Sequence, residues 1–199
     1  MEINPESLDP SLRYKLLIGT VVPRPIAFVS SISPTGETNL APFSYFNAVG
    51  HKPLALAFSV APKSDGSEKD TLRNVRPASE GGTGEYVINL AVEPYIRQVA
   101  EASEPLSYGD SEFDHIDLTT VSSQVVKAPR VAESPVAFEC RTMQIVPIGT
   151  FNLVIGEVIH WFVRDDLVDE NYRVDTQKLA PIGRMAGNNY CYTDRQFTI

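Results

Sequence analysis

Two stretches near the C-terminal third, Val136 to Pro147 (VAFECRTMQIVP) and Phe151 to Arg164 (FNLVIGEVIHWFVR), read as long extended segments separated by a short break. In the first, Val136, Phe138, Cys140 and Thr142 share one face under the two-residue period of a strand. Working outward from this pair, other segments read the same way. Glu85 to Ala91 (EYVINLA) follows a Gly81-Gly82-Thr83-Gly84 turn, and Leu54 to Val60 (LALAFSV) is almost continuously apolar, as a strand buried on both faces should be. Further upstream, IAFVSSIS from Ile26 is rich in β-branched and aromatic residues, and Pro34-Thr35-Gly36-Glu37 is a turn, so a hairpin is predicted over about 26–40. Helical signals are few. One covers 10–18, with Leu12, Leu16 and Leu17 on one side and Gly19 at its end; another covers 69–76, with Leu72 and Val75 facing inward. A third runs from Pro94 to Ala102, with Pro at a first position where the missing N–H costs nothing. Residues 103–130 read as a long irregular connection, and 165–199 as mostly loop with a short helix near Thr176 to Leu179. Because helices do not alternate with strands at βαβ spacing, the pattern predicts a mainly antiparallel β-barrel with a few peripheral helices.

The chain has 199 residues, 43% of them hydrophobic, which suits one domain with a substantial core better than two. Its formal net charge of -8, from 17 basic and 25 acidic residues, argues against nucleic acid as a partner, because a polyanion rewards the opposite sign. Cys140 and Cys191 stand about fifty residues apart without a CxxC pair, so neither a disulfide framework nor a zinc site is expected. The start MEINPESLDP lacks a basic then apolar leader, and no run approaches the roughly 18 apolar residues of a membrane span. The expectation is a reducing cytoplasm and no membrane.

Familiar catalytic constellations are absent from the sequence. His51, His115 and His160 are dispersed without metal-ligand spacing, and there is no GxSxG, GxGxxG or GxxxxGK[ST] element. Three segments stand out instead. Asn39 to Asn47 (NLAPFSYFN) mixes aromatics with small polar residues around Pro42, a combination that a plain core strand does not need, and Pro42, lacking an N–H, is expected to interrupt regular strand pairing. Ser67 to Asn74 (SEKDTLRN) turns from loop to helix; it is either an anion site, with Lys69 and Thr71 supplementing the helix N-terminus, or a capped helix start with a solvated Lys69. His160 sits in a strand among apolar neighbours, where a satisfied structural histidine is the ordinary reading.

Taken in order, RPIAFVSSISPTGETNLAPFSYFNAV, PLALAFSV, DGSEKDTLRNVR, GEYVINLA, ESPVAFEC and LVIGEVIHWFV resemble the flavin reductase-like, FMN-binding split-barrel family. The resemblance covers about 24–185 within a single domain of 1–199, and its NxAPFSxF and KDTxxN elements are specific when they occur together in this order. It implies a mainly β, Greek-key split barrel that forms a homodimer with FMN near the subunit interface. It also implies that Asn39, Ala41, Pro42 and Ser44 line the flavin ring or ribityl chain, that Ser59 adds a polar contact, and that Lys69, Thr71 and Asn74 hold the phosphate. His160 becomes a candidate catalytic residue, while Arg24, Arg184 and Tyr190 are candidates to approach the site, Arg24 otherwise being an exposed structural arginine. The implied activity is hydride transfer from NAD(P)H to flavin, in which the cofactor pair does the chemistry and the protein orients it and excludes water. Two alternatives stay open: an electron carrier reduced by a protein donor, and a flavoenzyme acting on a small organic substrate.

Overall fold

In the computed structural model, which describes residues 1–107 and 109–199, helix α1 (Pro10–Thr20) precedes four strands, β1 (Ala27–Ile32), β2 (Thr38–Phe43), β3 (Phe46–His51) and β4 (Leu54–Val60). Then come α2 (Asp70–Val75), β5 (Glu85–Leu90) and α3 (Ile96–Glu101). A two-stranded ladder, β6 (Thr120–Val121) with β7 (Arg130–Val131), lies in the long connection before β8 (Val136–Ile148) and β9 (Phe151–Val163). Helix α4 (Thr176–Leu179) and a hairpin of β10 (Ile182–Arg184) with β11 (Tyr190–Tyr192) follow.

Seven strands form one antiparallel sheet in the order β2-β1-β5-β8-β9-β4-β3. Strands β2 and β3 occupy its opposite edges, yet only Ser44 and Tyr45 connect them. A flat sheet of this width would hold its edges roughly 29 Å apart at about 4.8 Å per strand. Two linking residues span only about 11 Å. The sheet must therefore curl until its edges meet, and they meet through the chain without a ladder between β2 and β3. This is a split barrel, as the family resemblance implied, and it meets the strand pattern's expectation of a mainly antiparallel barrel.

The interior is filled by alternate residues of the wall, among them Val29, Phe43, Phe58, Tyr86, Ile88 and Cys140, and Leu72 and Val75 of α2 join the same cluster. Phe43 and Phe58 pack at 5.1 Å between ring centroids, and Phe58 meets Tyr86 edge-on at 5.5 Å. Gly156 in β9 belongs to this packing. A Cβ there would lie 1.9 Å from the Tyr86 hydroxyl, so only glycine lets the tyrosine occupy the barrel centre. The outer face of β1 and β2 is covered too: Phe28 and Leu40 pack with Tyr95, Val99 and Ala102 around α3. Both faces of β1 are thus buried, its two serines, Ser30 and Ser31, included.

Helix α2 is locked where its sequence says it should be. Its C-terminal end receives the 81–84 turn: Thr83 donates its N–H to the Asn74 carbonyl at 2.8 Å, and a Cβ on Gly82 would lie 2.2 Å from the Arg76 carbonyl oxygen. That turn is close-packed, not the plain flexible link its glycines suggest. Two further readings change. Helix α1 runs through Gly19 to Thr20 and leaves Leu12, Leu16 and Leu17 exposed, with Ile18 as its buried residue. The tail, read as mostly loop, also holds the β10–β11 hairpin, whose backbone bridges Arg184 to Arg24. No helix of the described residues is long and apolar enough to cross a membrane.

Candidate functional site

Strand β2 pairs with β1 in an unbroken register from Ile32 opposite Thr38 to Ala27 opposite Phe43, straight through Pro42. Proline does not interrupt this strand, contrary to the sequence reading. Leu40 donates its N–H away from β1, to the Glu112 carboxylate at 2.7 Å. N–H groups two residues apart in a strand share an edge, so the N–H that Pro42 lacks would have pointed to the same outer edge. Pro42 thereby spares an edge strand one unpaired donor, while Glu112 and Ser111, whose Oγ meets that of Thr38 at 2.7 Å, cover the rest of that edge.

Two cavities open along this strand. The first, of about 240 Å³, is lined by Asn39 and Ala41 from β2, by Lys69, Asp70 and Thr71 at the start of α2, by Lys63, and by Glu104 and Glu112 of the long connection. Two sequence segments thirty residues apart therefore face one space. Lys69 occupies the N-cap of α2 without a side-chain capping bond, so neither Ser67 nor Asp70 caps the helix. Thr71 accepts the Asn39 amide at 2.9 Å, and Lys63 pairs with Asp70 at 3.2 Å. Burial pushes the Glu112 carboxyl above the usual carboxylate range, with the Leu40 N–H opposing.

The second cavity, about 170 Å³, is lined by Pro42, Ser44 and Tyr45 from the end of β2 and its turn, with Tyr14, Arg24, Arg184 and Tyr190. Ser103 lines both cavities, so the two adjoin. Arg24 is 6% exposed, a correction to its reading as a surface arginine. Its guanidinium donates to the carbonyls of Ile18 (2.8 Å), Val21 (2.8 Å) and Met185 (2.9 Å), tying the end of α1 to the tail, and lies 3.4 Å from Ser44 Oγ. The Tyr45 hydroxyl is buried and has no hydrogen-bond partner among the described residues. Burial raises the Tyr45 phenol above its ordinary range, with Arg24 opposing.

The remaining candidates lie elsewhere. Asn74 lines neither cavity; its amide donates to Ser31 Oγ at 3.1 Å and its carbonyl holds the 81–84 turn, so it supports α2 from beneath. Ser59 also lines neither; its N–H donates to the Tyr45 carbonyl at 2.9 Å, where the two barrel edges approach. His160 faces Glu139 on the neighbouring strand, Nδ1 to Oε1 at 3.3 Å. The fully buried Glu139 carboxylate also accepts the N–H groups of Gln124, Val125 and Val126, so His160 sits beside an anchor of the long connection, away from both cavities. Cys140 is buried next to it, and burial raises its thiol well above its ordinary range, which makes it unreactive. Sequence reasoning missed Glu112, which lies in a stretch without periodicity.

The profile of the Flavin reductase like domain matches residues 18–196. An uncharacterized protein of Halalkalibacterium halodurans is 40% identical over 196 residues, covering 96% of this chain and 91% of that protein. Nitrilotriacetate monooxygenase component B from Bacillus cereus superposes with a TM-score of 0.93 at 35% identity, over 100% of this chain and 98% of its own. A 2-nitrobenzoate 2-nitroreductase from Pseudomonas fluorescens does so with a TM-score of 0.89 at 29% identity, over 100% and 95%.

Proposed function

This chain belongs to the flavin reductase-like domain family, and from that membership we propose that it binds FMN as a single flavin-binding unit and takes hydride from NADH or NADPH. The observation that carries the reading is the convergence of Asn39 and Ala41 with Lys69 and Thr71 on one cavity that adjoins a second at Pro42 and Ser44. The donor set suits the group. An ammonium, a hydroxyl and an uncapped helix start at one end match a phosphate monoester, and an apolar strand with a few polar atoms matches a flat ring with a polar rim. Lys69 and Thr71 would hold the phosphate, Asn39 would orient Thr71, and Ala41, Pro42 and Ser44 would line the wall toward the ring. FMN, when bound, supplies the hydride chemistry. The chain's part is to bind, align and keep water out, which needs no dedicated acid or base. His160 has no place in this site as we assign it; Asn74 and Ser59 position the site's supports.

Helix α1 supports pairing of two copies, because Tyr14, which lines the second cavity, is 54% exposed and Leu17 on the same helix 48%. A homodimer in sedimentation equilibrium is the expected result, lost on Leu17→Glu. The relative that is a 2-nitrobenzoate 2-nitroreductase favours a second reading, in which the bound flavin reduces a small organic substrate directly. Anaerobic absorbance separates the readings. Protein loaded with FMN should lose its visible flavin absorbance when NADH or NADPH is added, and recover it on adding free flavin or an organic acceptor. Failure to retain FMN would end the proposal; retention without bleaching by either nucleotide would leave an electron carrier with a protein donor.

A further inference from the structure

A third cavity, of about 280 Å³, opens between α3 and the β10–β11 hairpin and shares no residue with those assigned to FMN. Ile96, Arg97 and Ala100 form its helical wall, and Tyr190 and Tyr192 the facing one. Residues two apart in a strand project to one face, so β11 presents both tyrosines on the same side. Tyr192 is 64% exposed, while Tyr190 is held by Arg184, whose guanidinium lies 4.5 Å from its ring centre. Arg97 is an unanswered cation. Its guanidinium has no hydrogen-bond or ion-pair partner among the described residues, and no acidic side chain lines the cavity. In a chain of net charge -8, a free arginine beside two aromatic rings is the donor set for an anion carried on a flat ring.

The neighbouring spaces give this cavity a direction. Tyr190 also lines the second cavity, toward which the flavin ring is assigned, so the two adjoin. Tyr192 also lines a depression on the other flank, where Glu93 and Asp194 stand. Phosphates are therefore favoured on the side of Arg97 and Arg184 and repelled at the far end. That far end suits an uncharged base instead, with Ile96 and Ala100 as the apolar wall opposite the rings. At about 280 Å³ the space lies just below the roughly 300–1,000 Å³ of pockets for drug-sized ligands, so it admits a nucleoside and not a whole dinucleotide. We propose that this cavity holds the adenosine of the nicotinamide dinucleotide, with adenine against Tyr190 and Tyr192 and the diphosphate at Arg97 and Arg184, while the nicotinamide reaches the flavin by way of the second cavity. The identity of the ligand as hydride donor rests on the function proposed above; the binding of an adenosine phosphate here does not.

Two probes separate this site from the reading beside it. The first is ADP, titrated calorimetrically into protein loaded with FMN, so that the flavin's own phosphate site is already filled. Tyr192→Ala should weaken ADP roughly tenfold, about the worth of one base stacked on a ring, and Arg97→Gln by a similar factor. Both variants should keep the native circular dichroism spectrum and FMN affinity. The second probe is reduced nicotinamide mononucleotide, which carries the hydride but no adenosine. Each substitution should lower kcat/KM for the dinucleotide about tenfold and leave that for the mononucleotide within about twofold. ADP binding indifferent to both substitutions, or equal losses for the two hydride donors, overturns the proposal. Bleaching of the flavin by NADH or NADPH without any binding of ADP does so too, and leaves the flavin reading standing. ADP binding that responds as expected, with no bleaching by either donor, keeps the adenosine site and sinks the hydride-donor reading alone.

Discussion

The two adjoining cavities share one strand and differ in how they handle charge. The first mixes Lys63 and Lys69 with Asp70, Glu104 and Glu112, and several of these are already paired with protein groups. Among the described residues the second has two arginines and no acid, and its Arg24 is answered by three backbone carbonyls, whereas Lys69 in the first has no ion-pair partner among them. The difference teaches that a cation in a cavity wall is not by itself an anion site. What counts is whether its charge has been answered, since an unanswered buried charge is expensive and a ligand can supply the missing partner.

Substitution of the cations separates the two walls most sharply. Arg24→Met should cost about 3 kcal/mol of stability in urea unfolding, because three backbone carbonyls would lose a buried donor, each worth about 1–3 kcal/mol. Lys69→Ala should change stability by under about 0.5 kcal/mol, as a half-buried residue without a capping bond. If both variants unfold alike, the contrast between a built-in cation and an available one fails. In fluorescence titrations the same Lys69→Ala change should weaken FMN roughly 10- to 100-fold, the worth of a charge-assisted bond, while riboflavin binding holds. Matching losses for the two flavins would remove Lys69 from the phosphate.

Glu112 sharpens the comparison from the acidic side. Because burial raises its carboxyl, the folded protein holds this proton more tightly than the unfolded chain does. Its contribution to stability is therefore present at low pH and is lost as pH rises from the ordinary carboxylate range through the raised one. The same ionisation places an anion beside the proposed phosphate site. FMN affinity, measured relative to riboflavin, should fall with rising pH by on the order of tenfold in the native protein. Glu112→Gln should flatten that fall while its amide oxygen still accepts the Leu40 N–H. An unchanged profile in the variant would exclude Glu112 from the first cavity's electrostatics. The smallest effect is expected outside both cavities. His160→Gln should cost at most about 1 kcal/mol, since the side chain is 39% exposed and its pairing is screened, and should leave FMN binding and nucleotide oxidation intact. A large loss of turnover there would return His160 to the chemistry.

Much of this was legible before any coordinates. The alternation in Val136 to Pro147, the apolar run Leu54 to Val60, the turn at Pro34 to Glu37 and the inward Leu72 and Val75 all describe local preferences, and local preferences survive folding when the whole fold agrees with them. Misreadings arose where a residue's role depends on a partner far along the chain. Pro42 looked like a break because its edge position was invisible without Glu112. Arg24 looked like a surface charge because its acceptors come from the end of α1 and from Met185. His160 carried two readings, structural and catalytic, and only the fold sets it beside Glu139 and outside the lining of both cavities.

By itself, then, the sequence determined the strand-rich class of the fold, the helix start at Lys69 and the family to which the chain belongs, because periodicity, turn chemistry and motif order are written in short spans. Only the tertiary structure decided that Asn39, Ala41, Lys69 and Thr71 face one cavity, that Pro42 and Ser44 face its neighbour, and that Arg24 lies opposite Arg184. Curling a seven-stranded sheet until its edges meet brings together residues that no local pattern connects. Burial and charge are properties of that closed arrangement, not of the residues alone.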